Sequence, residues 1–285
     1  MTVPPTSFVT GRGTRLDFTS PILMGILNLT PDSFSDGGQY SNVESVIKQA
    51  KNLVDSGATI LDLGGESSRP GSEPVTPEEE SRRVLPVIEA LLQAKLDATI
   101  SVDTTKAVVA DQAASLGAEI INDISALNDP DMAAVAAKHE VGLIVMHMRG
   151  TPKTMQTGEI TYDNVGTEVL EHLKAAIERA KAAGVAPERI MVDPGIGFGK
   201  KLEHNLALTQ SIGELKESGC RILYGPSRKR FLGEITGRDI GDRDRATAAA
   251  CAIAAYEGAD IFRIHDVAAV RDAVEVGFAL RTKGS

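Results

Sequence analysis

The sequence predicts an α/β fold of one kind, a (β/α)8 TIM barrel with an N-terminal β-hairpin. Three observations carry this expectation. Eight short apolar runs recur along the 285 residues, most are followed by an amphipathic stretch of helical length, and each ends on or beside a polar side chain. In such a barrel the C-terminal ends of the strands face one mouth, so those polar residues are expected to line a single basin.

The elements follow in order. Residues 8 to 18 read as a hairpin turning at Gly11-Arg12-Gly13 and plugging the N-terminal mouth. The first strand, Ile22 to Leu27, ends at Asn28 and continues into NLTPDSFSDGG, with a helix at 42 to 56. The second, Ile60 to Leu63, carries Asp62 and leads to Glu66 and a helix at 77 to 95. Ile100 to Val102 ends at Asp103, before a helix at 105 to 116. Ile120 and Ile121 precede Asn122, Asp123 and a helix at 130 to 139. Val141 to Met146 ends at His147, with a helix at 162 to 183, and Ile190 to Val192 ends at Asp193, with a helix at 202 to 217. Ile222 to Tyr224 leads to Ser227 and Lys229 and a helix at 243 to 257. Ile261 to Ile264 brackets Arg263 and ends at His265, before a last helix at 266 to 282.

Local signals punctuate this alternation. Thr76-Pro77-Glu78-Glu79 sets a capping hydroxyl, an N1 proline and first-turn acids in the order a helix start favours, and Asn128-Asp129-Pro130 reads the same way. Gly57, Gly117, Gly184, Gly219 and Gly258 stand where a left-handed residue ends a helix.

Length and composition fit one domain over residues 1–285, with a core of Ala, Val, Ile and Leu, because aromatics are 4% and Trp is absent. A formal charge of −9 argues against nucleic acid or an anionic membrane as partner, so an anionic ligand needs local basic groups. Cys220 and Cys251 suggest no disulfide, which fits a reducing cytoplasm. Residues 1 to 20 lack a signal-peptide pattern, and no apolar stretch reaches the ~20 residues of a membrane span. A soluble protein is expected.

Asp103, Asn122 and Asp193 end the third, fourth and sixth strands, so a closed barrel brings them onto one ligand from different sides. Two carboxylates and a carboxamide supply what a flat amino-pyrimidine edge requires, which points to a nitrogen heterocycle. Taken singly, Asp103 or Asn122 would equally serve as a helix N-cap. Lys229 in GPSRKRFLG, and Arg263 with His265 in FRIHDV, fall at strands seven and eight, where barrels often bind phosphate. An arginine fork and an imidazole N–H suit a diphosphate leaving group. Arg228, Lys229 and Arg230 would otherwise be a solvated basic face at a helix start, although cations there oppose the helix dipole.

Two long loops, 29 to 41 and 64 to 76, read as lids over the mouth, the alternative being surface insertions. DPGIGFGK at 193 to 200 lacks the spacing and the Ser or Thr of a P-loop, so its glycines are expected to let Phe198 and the backbone approach a planar ligand. His139, His172 and His204 lack metal-ligand spacing, His147 stays open, and Met146 and Met148 read as core or pocket lining.

Taken together, these motifs resemble the dihydropteroate synthase family, the folate-pathway transferases on which sulfonamides act. NLTPDSFSDGG, GGESSRPGS, SVDTTK, INDI, MHMRGTPKTMQ, DPGIGFGK, SRK and RIHDV match in order over residues 8 to about 280. The resemblance implies condensation of 6-hydroxymethyl-7,8-dihydropterin pyrophosphate with p-aminobenzoate, giving dihydropteroate and pyrophosphate by an SN1-like route. It implies a pterin site of Asp103, Asn122, Asp193, Gly197, Phe198, Lys229 and Met146. Asn28, Arg69, Arg263 and His265 would hold the pyrophosphate, with Mg2+ on Asn28. Phe34, Ser68, Arg69, Pro70 and Lys229 would form the aminobenzoate pocket, and Asp36 joins Asp103, Asp193, Lys229, Arg263 and His265 as the catalytic set. A homodimer through the helices at 202 to 217 and 243 to 282 is also implied.

The chain departs from the family pattern at Ser68, where Thr is usual, and at Pro226 before SRK, both beside ligand subsites. Two other readings share the pterin residues. A methyltetrahydrofolate corrinoid methyltransferase would not be expected to carry both long loops with Lys229, Arg263 and His265. A pterin-binding paralogue without turnover would keep the pocket and release no pyrophosphate.

Overall fold

Short runs rich in Ile, Val and Leu form strands that can be buried on both faces, as a parallel sheet wrapped by helices requires. The computed structural model describes residues 4–30 and 39–283. In chain order these form β1 (Ser7–Val9), β2 (Arg15–Asp17), β3 (Ile22–Asn28), α1 (Gln39–Asp55), β4 (Ile60–Gly64), α2 (Pro77–Ala94) and β5 (Thr99–Asp103). There follow α3 (Ala107–Leu116), β6 (Ile120–Asp123), α4 (Met132–Lys138), β7 (Gly142–Met146), α5 (Val165–Ala182) and β8 (Ile190–Asp193). The chain continues through α6 (Leu202–Gln210), α7 (Ile212–Leu215), β9 (Arg221–Tyr224), α8 (Arg230–Thr236), α9 (Asp244–Glu257), β10 (Ile261–Ile264) and α10 (Val267–Lys283). Strands β3 to β10 close into one parallel barrel in sequence order, β10 pairing with β3. This is the predicted (β/α)8 barrel.

Strand alternation splits the side chains between two layers. Leu61, Leu63, Ile121, Val145, Val192 and Phe262 face outward, into the core shared with helix residues such as Val84, Ala110, Leu173 and Val270. Met24, Ile60, Ile120, Ile144, Met191, Leu223 and Ile261 face inward and fill the barrel floor around Phe8. Two residues further along five of these strands stand Asp62, Asn122, Met146, Asp193 and Arg263. The period of two that packs hydrocarbon on the floor thus sets four polar groups and Met146 on the level above it.

The hairpin is the predicted plug. Phe8 of β1 is 1% exposed, and its ring lies where a Cβ on Gly142 would stand, 2.6 Å away, so β7 must begin with glycine. The Gly11 N–H donates to the Glu119 carbonyl at 2.8 Å, and Arg189 donates to the Thr10 carbonyl at 2.6 Å, fastening the hairpin beneath the barrel.

Most of the punctuation reads as expected. Thr76 Oγ1 accepts from the Glu79 N–H at 3.3 Å, and all five helix-ending glycines have left-handed φ. Asn128-Asp129-Pro130 does so in part. Helix α4 starts later, at Met132, with Asp129 Oδ1 accepting the Asp131 N–H at 3.1 Å, while Asp129 Oδ2 accepts the Ala107 N–H at 2.8 Å and so also caps the preceding helix α3 across space. The single helix expected at 202 to 217 breaks at Ser211, whose Oγ donates back to the Ala207 carbonyl at 2.9 Å. The short helix α8 was not among the expected helices; it buries Phe231 and Leu232. Both cysteines are buried and free, and among the described residues no helix is long and apolar enough to cross a membrane.

Candidate active site

Parallel register brings Asn28, Gly64, Asp103 and Asn122 into one row across β3, β4, β5 and β6 at the C-terminal mouth. Beneath that row lies a polar residue of the second barrel strand to which the sequence assigns no particular role in the site. Asp62, with no exposed surface, accepts from Ser101 Oγ at 2.6 Å, from Asn122 Nδ2 at 3.1 Å and from Arg263 Nε at 2.6 Å. Arg263 reaches on through Nη2 to Asp103 Oδ2 at 2.6 Å. Asn122 is thereby turned so that Oδ1 is buried and, among the described residues, has no hydrogen-bond partner. An acceptor in that state awaits a donor. The only sequence signal for Asp62 is an acid inside an apolar strand.

These contacts exclude the capping roles that sequence left open. Asp103 is engaged by Arg263 and Asn122 by Asp62, while the start of α3 is held by Asp129. Asp193 Oδ1 accepts the Gly195 N–H at 2.7 Å. Burial raises the Asp103 carboxyl to about 7 against the pull of Arg263, and raises that of Asp193 against the pull of Lys229. Burial lowers the Lys229 ammonium to about 7, with Asp193 opposing. Burial also works against the Arg263 charge, but Asp62 and Asp103 hold it above the usual arginine range.

The basic run separates into three roles. Arg228 forks onto Asp244 at 2.7 and 2.8 Å, and Arg230 pairs with Glu234 at 2.6 Å, both structural contacts. Lys229 turns inward, donating to the Ile196 carbonyl with its ammonium 4.3 Å from the Phe198 ring centroid. Phe198 packs with Ile124, Met146 and Met155, forming an apolar wall beside the carboxylates. Gly197 has φ +83, and a Cβ there would press on the Lys229 stem at 2.9 Å, as expected of a glycine that admits a close neighbour.

His265 stands beside Arg263. Its backbone N–H donates to Ser227 Oγ at 3.1 Å, and the same hydroxyl lies 2.8 Å from His265 Nδ1. In the tautomer in which Ser227 donates to Nδ1, the imidazole carries its hydrogen on Nε2. Burial, then Arg263, Arg228 and Arg69, lower it to about 4. Arg69 stands on the second loop with its side chain exposed, next to Ser68 and Pro70. Asn28 is exposed at the end of β3. Phe34 and Asp36, with most of the first predicted lid, lie outside the described residues.

A closed parallel barrel whose mouth gathers acceptors for a planar heterocycle beside cations for an anionic group defines a barrel enzyme acting on a small anionic substrate. Residues 24–265 match the family of pterin binding enzymes. A dihydropteroate synthase of Synechocystis sp. is 48% identical over 260 residues, spanning 90% of this chain and 89% of the relative. The structure of the Yersinia pestis dihydropteroate synthase with a sulfonamide drug complex superposes with a TM-score of 0.90 at 42% identity, covering 96% of this chain and 99% of that one. The Burkholderia cenocepacia enzyme complexed with 7,8-dihydropteroate gives 0.87 at 40% identity over 98% of each chain. The chain belongs to the dihydropteroate synthase family of pterin-binding transferases. The corrinoid methyltransferase alternative is not favoured by any of these likenesses.

Proposed function

We propose that the barrel, as one pterin-binding domain, condenses 6-hydroxymethyl-7,8-dihydropterin pyrophosphate with p-aminobenzoate. The buried Oδ1 of Asn122, without a hydrogen-bond partner among the described residues and on the strand next to that of Asp103, is the observation that carries this reading. A pterin edge presents the N–H donors that Asn122, Asp103 and Asp193 need, with its ring against Phe198 and Met146 and beside Gly197 and Lys229. Asn28, Arg69, Arg263 and His265 are assigned to the diphosphate, and Ser68, Arg69, Pro70 and Lys229, with Phe34, to the aminobenzoate, the subsite where a sulfonamide would compete.

In the reaction the methylene C–O bond breaks and its electron pair leaves with the diphosphate. The electron-rich ring spreads the positive charge, which Asp103 and Asp193 stabilise in a water-poor setting. Arg263 and, with Ser227 donating to Nδ1, the Nε2–H of His265 meet the departing anion. The aniline nitrogen then forms the C–N bond and gives up one proton. Asp36 completes the proposed catalytic set from the first loop.

Mg2+ is the proposed cofactor. This cation commonly takes only one or two protein ligands and completes its shell with phosphate oxygens and water, so the single exposed carboxamide of Asn28 at the mouth fits it. When bound it would neutralise diphosphate charge. We place the enzyme in the cytoplasm, consistent with two free thiols. A homodimer is proposed through Ile253 and Tyr256 of α9 and Val276 and Leu280 of α10, large apolar side chains each more than half exposed. Sedimentation at varied concentration tests the dimer.

The reaction is tested by pyrophosphate release from purified protein given the pterin pyrophosphate, Mg2+ and p-aminobenzoate. Aminobenzoate-dependent release, lost in Asp193→Ala and Arg263→Ala, is expected. Pterin binding without release would identify a silent paralogue.

A further inference from the structure

Between Asp193 and helix α6 the chain runs through three glycines with left-handed φ: Gly195, Gly197 and Gly199. Such a segment has little intrinsic reason to hold one shape, since glycine loses more freedom on ordering than other residues. Yet it must present Gly197 and Phe198 to the ligand. Its backbone accounting explains how.

Five successive carbonyls are each taken by a side-chain donor. Lys200 Nζ donates to Gly195 at 2.9 Å and to Phe198 at 3.0 Å. Lys229 takes the Ile196 carbonyl, Gln156 Nε2 takes Gly197 at 2.9 Å, and the Tyr162 hydroxyl takes Gly199 at 2.9 Å. On the donor side the Gly195 N–H goes to Asp193 Oδ1 and the Gly197 N–H to Asn205 Oδ1, both at 2.7 Å. Among the described residues only Lys200 binds two of the five carbonyls. It is buried, 3% exposed, whereas Gln156, Tyr162 and Lys229 are each partly exposed.

The third proton of Lys200 goes to His147 Nδ1 at 2.8 Å, and the His147 carbonyl is a further acceptor at 3.4 Å. Burial pushes the Lys200 ammonium well below the usual lysine range, while three acceptors within 3.0 Å favour keeping the proton. Burial, and then the Lys200 charge, lower His147 to about 2, which fits a neutral ring accepting through Nδ1. His147 follows β7 directly, so this ammonium fastens the glycine loop to the rim of the barrel.

We infer that Lys200 is a positioning residue for the pterin reaction: its ammonium ties Gly195, Phe198 and His147 together, fixing the loop that carries Phe198 and the carbonyl on which Lys229 rests. It does not itself face the ligand. Gln156 and Tyr162, from the loop before α5, complete the tie from outside. This rests on the pterin reading of the site.

Lys200→Met keeps length and removes every donor. Two readouts separate positioning from plain stability. One is the KM for each substrate; the other is calorimetric titration with diphosphate-free 6-hydroxymethylpterin. Expected are a tenfold or larger rise in the pterin-pyrophosphate KM, matching weakening of the pterin titration, and a smaller rise in the aminobenzoate KM, transmitted through Lys229, which borders both subsites. Should Lys200→Met not fold, Gln156→Leu and Tyr162→Phe carry the test, each expected to raise only the pterin KM severalfold. An unchanged pterin KM, or an equal rise for both substrates, in folded variants overturns the inference. If the parent protein binds hydroxymethylpterin but turns nothing over, the functional reading fails while the titration still decides the role of Lys200.

Discussion

Arg263 Nε donates to Asp62 Oδ2 at 2.6 Å across 201 residues of sequence, and this pair sets the geometry of the mouth. Asp62 is fully buried and also holds Asn122 and Ser101, so it orients a cation and a carboxamide at once. Truncating one partner of a buried charged pair leaves the other uncompensated, at a cost of roughly 3–5 kcal/mol. Asp62→Ala is therefore expected to lower the urea midpoint strongly. Asp62→Asn, which keeps shape, is expected to fold and to lose on the order of tenfold or more in kcat/KM, about 1.4 kcal/mol or more of transition-state stabilisation. Full activity in folded Asp62→Asn would show that Asp103 alone suffices to aim Arg263.

A second buried charge governs the second loop. Lys106 Nζ contacts Glu80, which is fully buried, and Glu66 Oε2 at 2.7 Å, while that same Glu66 oxygen accepts the Val75 N–H at 2.9 Å. The side chain of Glu66 thus closes the loop that carries Ser68 and Arg69. Lys106→Met strands Glu80, and a loss of roughly 3–5 kcal/mol is expected in urea unfolding. Adding Glu80→Leu to that variant should restore most of the stability. Both forms should raise the aminobenzoate KM, because Glu66 loses its anchor; an unchanged KM would detach this triad from the loop.

The pH behaviour of His265 follows from its burial and its cationic neighbours. Its folded value, about 4, lies below the ordinary histidine value of about 6.5. Between the two, the unfolded chain binds a proton that the folded one does not. Its stabilising contribution is present above about pH 6.5 and is lost as pH falls through about 4. A bound diphosphate adds negative charge beside the ring and should raise that value. Binding of inorganic pyrophosphate near pH 5 should then take up a proton, measured by calorimetry in buffers of different ionisation enthalpy. His265→Asn should bind more weakly and with less uptake; equal uptake would assign the proton to another group.

How much of this was legible in sequence depended on the physical range of each signal. Strand period and terminating polar residues are local, so the eight strands, the plug and the gathering of Asp103 and Asn122 at one mouth could be read directly, whereas the row that aligns them with Asn28 and Gly64 depends on strand register. The breaks were in contacts that cross the fold. Asp129 looks like a cap for its own helix alone, yet its second carboxylate oxygen also caps α3, because the two helix starts are neighbours only in three dimensions. Asp62 is marked only as an acid inside an apolar strand, and Lys200 and Gln156 only as members of longer motifs, since what sets their roles is a contact with a carbonyl or side chain that the folded backbone brings near. Arg228 and Arg230 resemble Lys229 in sequence, and only the positions of Asp244 and Glu234 separate their roles.

The barrel floor offers the cleanest separation of stability from function. Phe8 fills the space among Ile22, Ile60, Ile120, Ile144, Met191, Leu223 and Ile261, at the end of the barrel opposite the mouth. Removing a buried phenylalanine side chain typically costs about 3–5 kcal/mol in transfer and cavity terms together. Phe8→Ala is expected to shift the urea midpoint by that amount while leaving both KM values and kcat unchanged at temperatures where the protein stays folded. Phe8→Leu, with a smaller cavity, should lose less. A kinetic change in folded Phe8→Ala would mean that packing at the floor is transmitted along the strands to Asp62 and Arg263, two levels of side chains that the alternation of the sheet otherwise keeps apart.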